Sequence, residues 1–297
     1  MSYNMNWQSD CPGCLVILLD QSGSMDDAFG GNQLGSGKKK CDQVATVLNG
    51  LLNEIISANR EISEGGIRIK PRAEIAVIGY SGSGVGSALA SPLDQQTIVT
   101  LPELQDNILE VETRMRKEMD DTGNIIEVPV FFPIWVLAKA AGGTPMVAAI
   151  QQATEIIRQW AYDHPDNYPP VVVNVTDGEA TDVADANNPV ELIAAADALK
   201  SVATRDGNAL LFNCHITDKA SIEIQFPGSE ALLPNDRIAR SLFAISSPVP
   251  ESGRQNILAT TGTTLAPEAR GFIYNGDAGA VRQMFVYLTK PLVNTNR

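Results

Sequence analysis

Leu15-Val16-Ile17-Leu18-Leu19-Asp20-Gln21-Ser22-Gly23-Ser24 is the stretch on which the fold turns. Five apolar residues in a row end in a carboxylate, and the chain then becomes small and polar. A short run that is apolar at every position fits a strand buried on both faces, as in a parallel sheet. Outward from it the same kind of run returns. Ala73 to Tyr80 predicts a second strand and Val171 to Val175 a third. Ala209 to Phe212 begins another, and Gly271 to Tyr274 is the last. Between them the spacing becomes helical. Cys41 to Ile56 carries Val44, Val47, Leu48, Leu51, Leu52, Ile55 and Ile56 on one stripe. Met146 to Trp160, Val190 to Ala203 and Ala278 to Leu288 also read as helices. This alternation predicts an α/β fold: a doubly wound, mostly parallel central sheet flanked by helices.

The 297 residues suit a single domain with its core over 14–293 and two elaborations, 81–135 and 221–267. Ser81 to Trp135 is too long for a simple connection. It reads as a helix over Leu104 to Met119, the acidic turn Asp120-Asp121-Thr122-Gly123-Asn124, and then Ile125 to Phe132, forming an elaborated edge of the sheet. Ser221 to Pro267 is punctuated by Pro227, Pro234, Pro248 and Pro250. Met25 to Gly37 reads as a glycine-rich loop without helix, closed by Lys38-Lys39-Lys40. Three cations there oppose the dipole of the helix that follows, so helix propensity does not explain them. They read as a solvated loop end or, more sharply, as a contact for an anionic partner.

A net charge of −13 argues against a general nucleic-acid binder, which needs a basic surface. With 44% hydrophobic and 19% charged residues, the chain is no disordered polyelectrolyte. No apolar stretch reaches the ~20 residues of a spanning helix. The best, Val128 to Ala141, is broken by Pro133 and Lys139. Met1 to Asp10 lacks the basic start and apolar core of a signal peptide. The expectation is a soluble, cytoplasmic protein that engages neither nucleic acid nor membrane. Cys11-Pro12-Gly13-Cys14 precedes the first strand, the wrong place for a redox pair, and no second pair completes a zinc site. A turn leading into the strand is the simpler reading.

Three segments carry the chemistry: Asp20-Gln21-Ser22-Gly23-Ser24 after the first strand, Gly142-Gly143-Thr144-Pro145 before a helix, and Thr176-Asp177-Gly178-Glu179-Ala180-Thr181-Asp182 after the Val171 strand. In open α/β sheets, ligands bind beyond the carboxyl ends of the strands. Carboxylates and hydroxyls without sulfur or imidazole suit a hard cation: Mg²⁺, alternatively Mn²⁺ or Ca²⁺. The candidate metal ligands are Asp20, Ser22, Ser24, Thr144 and Asp177. Such a set does not fill the ion's shell, so water or an external oxygen completes it. Low negative charge leaves the ion electrophilic and favours an incoming carboxylate.

The D-x-S-x-S, the later threonine and the T-D-G-x-x-T-D together resemble the von Willebrand factor A (VWA) domain and its metal-ion-dependent adhesion site (MIDAS). The resemblance spans nearly the whole chain as an order of strands and motifs. It implies a Rossmann-like fold with the first and fourth strands adjacent and one antiparallel edge strand, which would lie within 81–135. It implies that Ser22 and Ser24 are direct ligands, that Asp20 and Asp177 act directly or through water, and that Thr144 is the conformation-dependent ligand. It also implies a protein partner that presents a carboxylate to the ion. Among bacterial intracellular members the chain is similar to stand-alone proteins of the tellurium-resistance and stress type. These are often encoded with a protein kinase and a PP2C-type metal-dependent phosphatase, which the resemblance makes the candidate partners. A second branch instead serves AAA+ ATPases.

Each residue also has an ordinary role to play. Asp20 and Asp177 can cap helices, and Thr144-Pro145 fits an N-cap followed by proline at the first helical position. Asp182 and Glu179 read as flanking the site. Asp26 and Asp27 line its mouth or are solvated. His164 and His215 read as structural or surface residues, and Trp7, Trp135 and Trp160 as packing residues. The expected function is a metal-dependent protein-binding module rather than an enzyme. The alternatives are a metal-dependent hydrolase, with Glu179 as a candidate base, and a structural subunit that the metal merely stabilises. The expectation is of no histidine near the three motifs, and there is no nucleophile elbow, no phosphate-binding loop and no cysteine paired with histidine.

Overall fold

The computed structural model describes residues 3–28, 39–63, 66–119, 123–217, 222–276 and 279–284. The opening strand, β1 (Gly13–Asp20), is buried at all eight positions. Its alternating side chains explain why Cys14 to Leu19 are all apolar. Leu15, Ile17 and Leu19 enter one core cluster, and Cys14, Val16 and Leu18 enter the other. Of Cys11-Pro12-Gly13-Cys14, Gly13 and Cys14 already belong to β1, and only Cys11 and Pro12 precede it.

Helix α1 (Lys40–Ala58) follows, then the hairpin β2 (Arg60–Ser63) and β3 (Gly66–Ile69), which stands as a sheet of its own. Strand β4 (Ala73–Ser81) lies parallel to β1 in the main sheet. Against β4 run β5 (Gly84–Ser87) and β6 (Val99–Thr100), both antiparallel. The antiparallel edge therefore falls within the expected 81–135 interval.

The rest of that interval differs from expectation. The short α2 (Leu101–Asp106) is opened by a capping box between Thr100 and Glu103. After it, 110–119 is not helical. It forms β7 (Glu110–Met119), paired over ten residues with β8 (Ile125–Ile134) in a separate two-stranded ribbon. The ribbon does not extend the main sheet. The helical spacing of Val111, Met115 and Met119 is also an alternating spacing, and the strand wins because β8 supplies a matching partner. Of the expected acidic turn, residues 120–122 lie outside the described residues.

Helix α3 (Met146–Asp163), β9 (Val171–Thr176), α4 (Val190–Ser201) and β10 (Leu210–His215) complete the expected alternation. The second elaboration holds β11 (Ile224–Gln225), α5 (Arg237–Ile245) and α6 (Glu251–Thr261) before β12 (Phe272–Tyr274). Residues 279–284 are helical, and the rest of the expected last helix lies outside the described residues.

The main sheet runs β11-β12-β10-β9-β1-β4-β5. The five strands from β12 to β4 are parallel, and β11 adds a second antiparallel edge that the sequence reading did not contain. The fold is thus mixed α/β and Rossmann-like, with a mostly parallel sheet between helices. One core cluster is shared with α1 and 280–284, the other with α3, α4 and α5. Among the described residues no helix is long and apolar enough to cross a membrane. The consequence for the site is simple: β9 lies directly beside β1, so their carboxyl ends open onto one spot.

Candidate metal centre

Asp20 closes β1 and Thr176 closes the neighbouring β9. The Asp20 carboxylate is held by both its oxygens. Oδ1 accepts from the Ser22 amide at 2.8 Å, and Oδ2 accepts from the Thr176 hydroxyl at 2.6 Å. From Ser22 the chain enters a single 3₁₀ turn, Gly23–Asp26, anchored by the buried Met25. That turn corrects the reading of a wholly helix-free loop at its first residues; 29–38 lie outside the described residues. It also brings the Ser22 and Ser24 hydroxyls to 3.1 Å from each other. Ser24 donates to Asp177 Oδ1 at 2.7 Å. A hydroxyl has one proton, so towards Ser22 the Ser24 oxygen is the acceptor.

Thr144 arrives from a third direction, steered by glycine. Gly142 has a φ of +68°, and a β-carbon there would lie 2.6 Å from Gly82 Cα. A β-carbon on Gly82 would lie 2.8 Å from Gly142 Cα, so the two backbones touch. The Ala141 amide donates to Gln21 O and the Gly23 amide to Gly142 O, both at 2.8 Å. Thr144 and Thr181 are tied reciprocally, Thr144 N to Thr181 Oγ1 and Thr181 N to Thr144 O, each at 2.9 Å. Gly178 sits in the middle. A β-carbon on it would lie 3.4 Å from Thr144 Oγ1, 3.7 Å from Asp20 Oδ2 and 3.8 Å from Ser24 Oγ. Thr144, Asp20 and Ser24 therefore crowd one point, and Ser22 and Asp177 join them through Ser24. The structure brings together all five residues singled out in the sequence.

Burial dominates the electrostatics of Asp20. It is 1% exposed, and loss of water pushes its pKa from 3.8 up to about 6. Hydrogen bonds from Ser22 and Thr176 pull the other way, while the Asp177 charge pushes further up. Among the described residues no basic side chain forms an ion pair with it, and its hydrogen-bond partners are the Ser22 amide and the Thr176 hydroxyl. Asp177 is better compensated, for its Oδ2 accepts from the Lys40 ammonium at 2.7 Å with both side chains almost wholly buried. Among the described residues no cluster of three or more His, Cys, Asp or Glu occurs. Two carboxylates with three hydroxyls are a different donor set. All-oxygen and low in charge, with one buried carboxylate lacking a cation, it fits a hard divalent ion.

The ordinary roles are resolved as well. Neither aspartate caps a helix: Asp20 is bound as above, and Asp177 takes Ser24 and Lys40. Thr144 is not the cap of α3, which begins at Met146 with Pro145 in the cap position and no cap bond from it. Asp182 does that work from outside, its carboxylate accepting from the Val147 and Ala148 amides at 3.1 and 2.9 Å. Thr176 and Asp182 both lie in the third motif, but their roles escape a sequence reading: Thr176 holds Asp20, and Asp182 caps a helix whose amides are 35 and 34 residues away. Glu179 is paired with Arg237 at 2.6 Å. Asp26 holds Lys39 at 2.7 Å, and Asp27 lies 3.9 Å from Lys40. Lys39 pairs with Asp26 while staying half exposed, as a solvated loop end does, whereas Lys40 is buried against Asp177; Lys38 lies outside the described residues. Trp160 donates to Glu74 and stacks on His164, and Trp135 donates to Leu104 O, as packing residues do. The expectation of no histidine near the motifs is corrected for His215, which stands opposite Thr176 in the sheet because β10 pairs with β9, its ring against Tyr274.

No family model and no curated protein matches the chain. Among solved structures, the PilB minor pilin from Streptococcus sanguinis is similar over 95% of this chain, with 10% sequence identity and a TM-score of 0.46. The chain spans 62% of the pilin's length. A likeness of that degree carries no functional inference.

Proposed function

We propose that the chain is a metal-ion-dependent protein-binding module of the von Willebrand factor A type. In this proposal Asp20, Ser22, Ser24, Thr144 and Asp177 hold one divalent ion, Mg²⁺ or alternatively Mn²⁺ or Ca²⁺, and an aspartate or glutamate of a partner protein completes its shell. The observation that carries it is the crowding of Thr144, Asp20 and Ser24 oxygens around Gly178, with Ser22 and Asp177 linked through Ser24. When bound, the ion supplies an electrophilic position for an external carboxylate.

The chain's own residues make the rest. Ser24 gives its proton to Asp177 and keeps its lone pairs for the crown. Thr176 and the Ser22 amide fix the Asp20 carboxylate so that little reorientation is left to bear. Thr181 fixes the backbone that carries Thr144. The resemblance extends the proposal to a regulatory or scaffolding role in a cytoplasmic stress or signalling system with a kinase or phosphatase. The test is an immobilised chain offered candidate partners with Mg²⁺ and with EDTA, beside a melting curve under both conditions. Capture that needs metal and is lost in Asp20→Ala supports the proposal. Capture that EDTA and Asp20→Ala leave unchanged rejects it. A melting temperature lowered by EDTA with capture intact supports a purely structural ion.

A further inference from the structure

Lys40 is the first residue of α1, where a cation is disfavoured by the helix dipole. It is nevertheless buried, with its side chain 4% exposed against an Asp177 side chain 1% exposed. Its ammonium donates to Asp177 Oδ2 at 2.7 Å, approaches Ser24 O at 3.5 Å and lies 3.9 Å from Asp27 Oδ2. Placing a cation at an unfavourable helix end and then burying it is a local conflict that points to a role at the site. The other carboxylate in the crown, Asp20, forms no ion pair among the described residues and accepts instead from the Ser22 amide and the Thr176 hydroxyl. The charge is therefore divided unevenly: Asp177 is neutralised from within the chain and Asp20 is not.

We propose that Lys40 is the crown's built-in counter-cation and sets both its metal affinity and its preference for an anionic partner. This rests on the metal-site proposal above. Without metal, Lys40 holds Asp177 and so keeps the crown assembled. With a divalent ion in place, two carboxylates and one ammonium leave the loaded crown with one net positive charge. Lacking Lys40 the loaded crown would be neutral. Lys40 thus weakens attraction for the ion, which competes with it for the field of Asp177, and strengthens attraction for an incoming carboxylate. It is a positioning residue, acting through Asp177 rather than on the partner.

The test is a Mn²⁺ titration by calorimetry on the full chain and on Lys40→Met, Lys40→Gln and Lys40→Arg, with melting curves with and without Mn²⁺. Lys40→Gln and Lys40→Met are expected to bind Mn²⁺ about tenfold tighter or more. They are also expected to melt lower without metal, because Asp177 is left buried and unpaired, and to gain more from Mn²⁺ than the parent does. Lys40→Arg, which keeps the charge, is expected to stay near the parent affinity. Tighter binding in the neutral variants, including the case where they bind and the parent does not, supports the inference. If the parent binds Mn²⁺ and the neutral variants bind equally or more weakly, Lys40 is only a structural clamp and the inference is overturned while the metal site stands. If no chain binds Mn²⁺, both the site and the inference fall.

Discussion

Asp20 pays an electrostatic penalty for its position at the end of β1. Its carboxyl titrates near pH 6 in the fold and near 3.8 when unfolded, so between those values the folded chain holds the extra proton. The metal-free protein therefore loses stability as pH rises through that window. At about 1.4 kcal/mol per tenfold change in proton affinity, the full cost above pH 6 is on the order of 3 kcal/mol. Asp20→Asn removes the charge, so it should raise the melting temperature of the EDTA-treated chain at pH 7.5 while abolishing any increment from Mg²⁺. A variant that melts lower than the parent in EDTA would mean that the ionised carboxylate is not strained there. The opposite sign holds for the ion. A cation displaces that proton, so Mg²⁺ affinity should rise as pH is raised from 5 to 7, measured by calorimetry, and a flat profile would remove Asp20 from the ligand set.

The elements explain what a sequence shows and what it hides. Asp20, Ser22 and Ser24 are legible because a local turn must gather them, and the strand before them is buried on both faces. Asp182 is hidden because the helix it caps begins far away in sequence, and its function depends on how the loop after β9 folds over α3. Asp182→Ala should cost about 1 kcal/mol, the usual loss of a helix cap, read from denaturant unfolding. Thr144 sits two residues before α3, so the same variant should also weaken Mn²⁺ binding; an unchanged affinity would uncouple the cap from the crown. The β7–β8 ribbon is hidden for another reason, since residues spaced by four fit a helix and a strand alike. Its two faces differ. Phe131 is 76% exposed, whereas Phe132 lies under Arg114, whose guanidinium is 3.5 Å from the ring centre, and reaches Gly50 of α1. Phe131→Ser should therefore shift stability by less than about 0.5 kcal/mol and Phe132→Ala by more. Equal losses would mean that the ribbon packs differently.

Across the whole molecule, parallel strands buried on both faces announced the α/β class, and the order of motifs announced where the crown would lie. What the order of motifs could not supply is the charge around it. Lys40 reads in sequence as the end of a basic loop, and only the approach of α1 to β9 turns it inward onto Asp177. The most direct measurement is calorimetric titration of the purified, metal-stripped chain with Mn²⁺. One ion per chain is expected, with binding lost in Asp20→Ala and strongly weakened in Ser22→Ala. No binding at millimolar Mn²⁺, or binding that both variants retain, would contradict the cation site on which the proposed function depends.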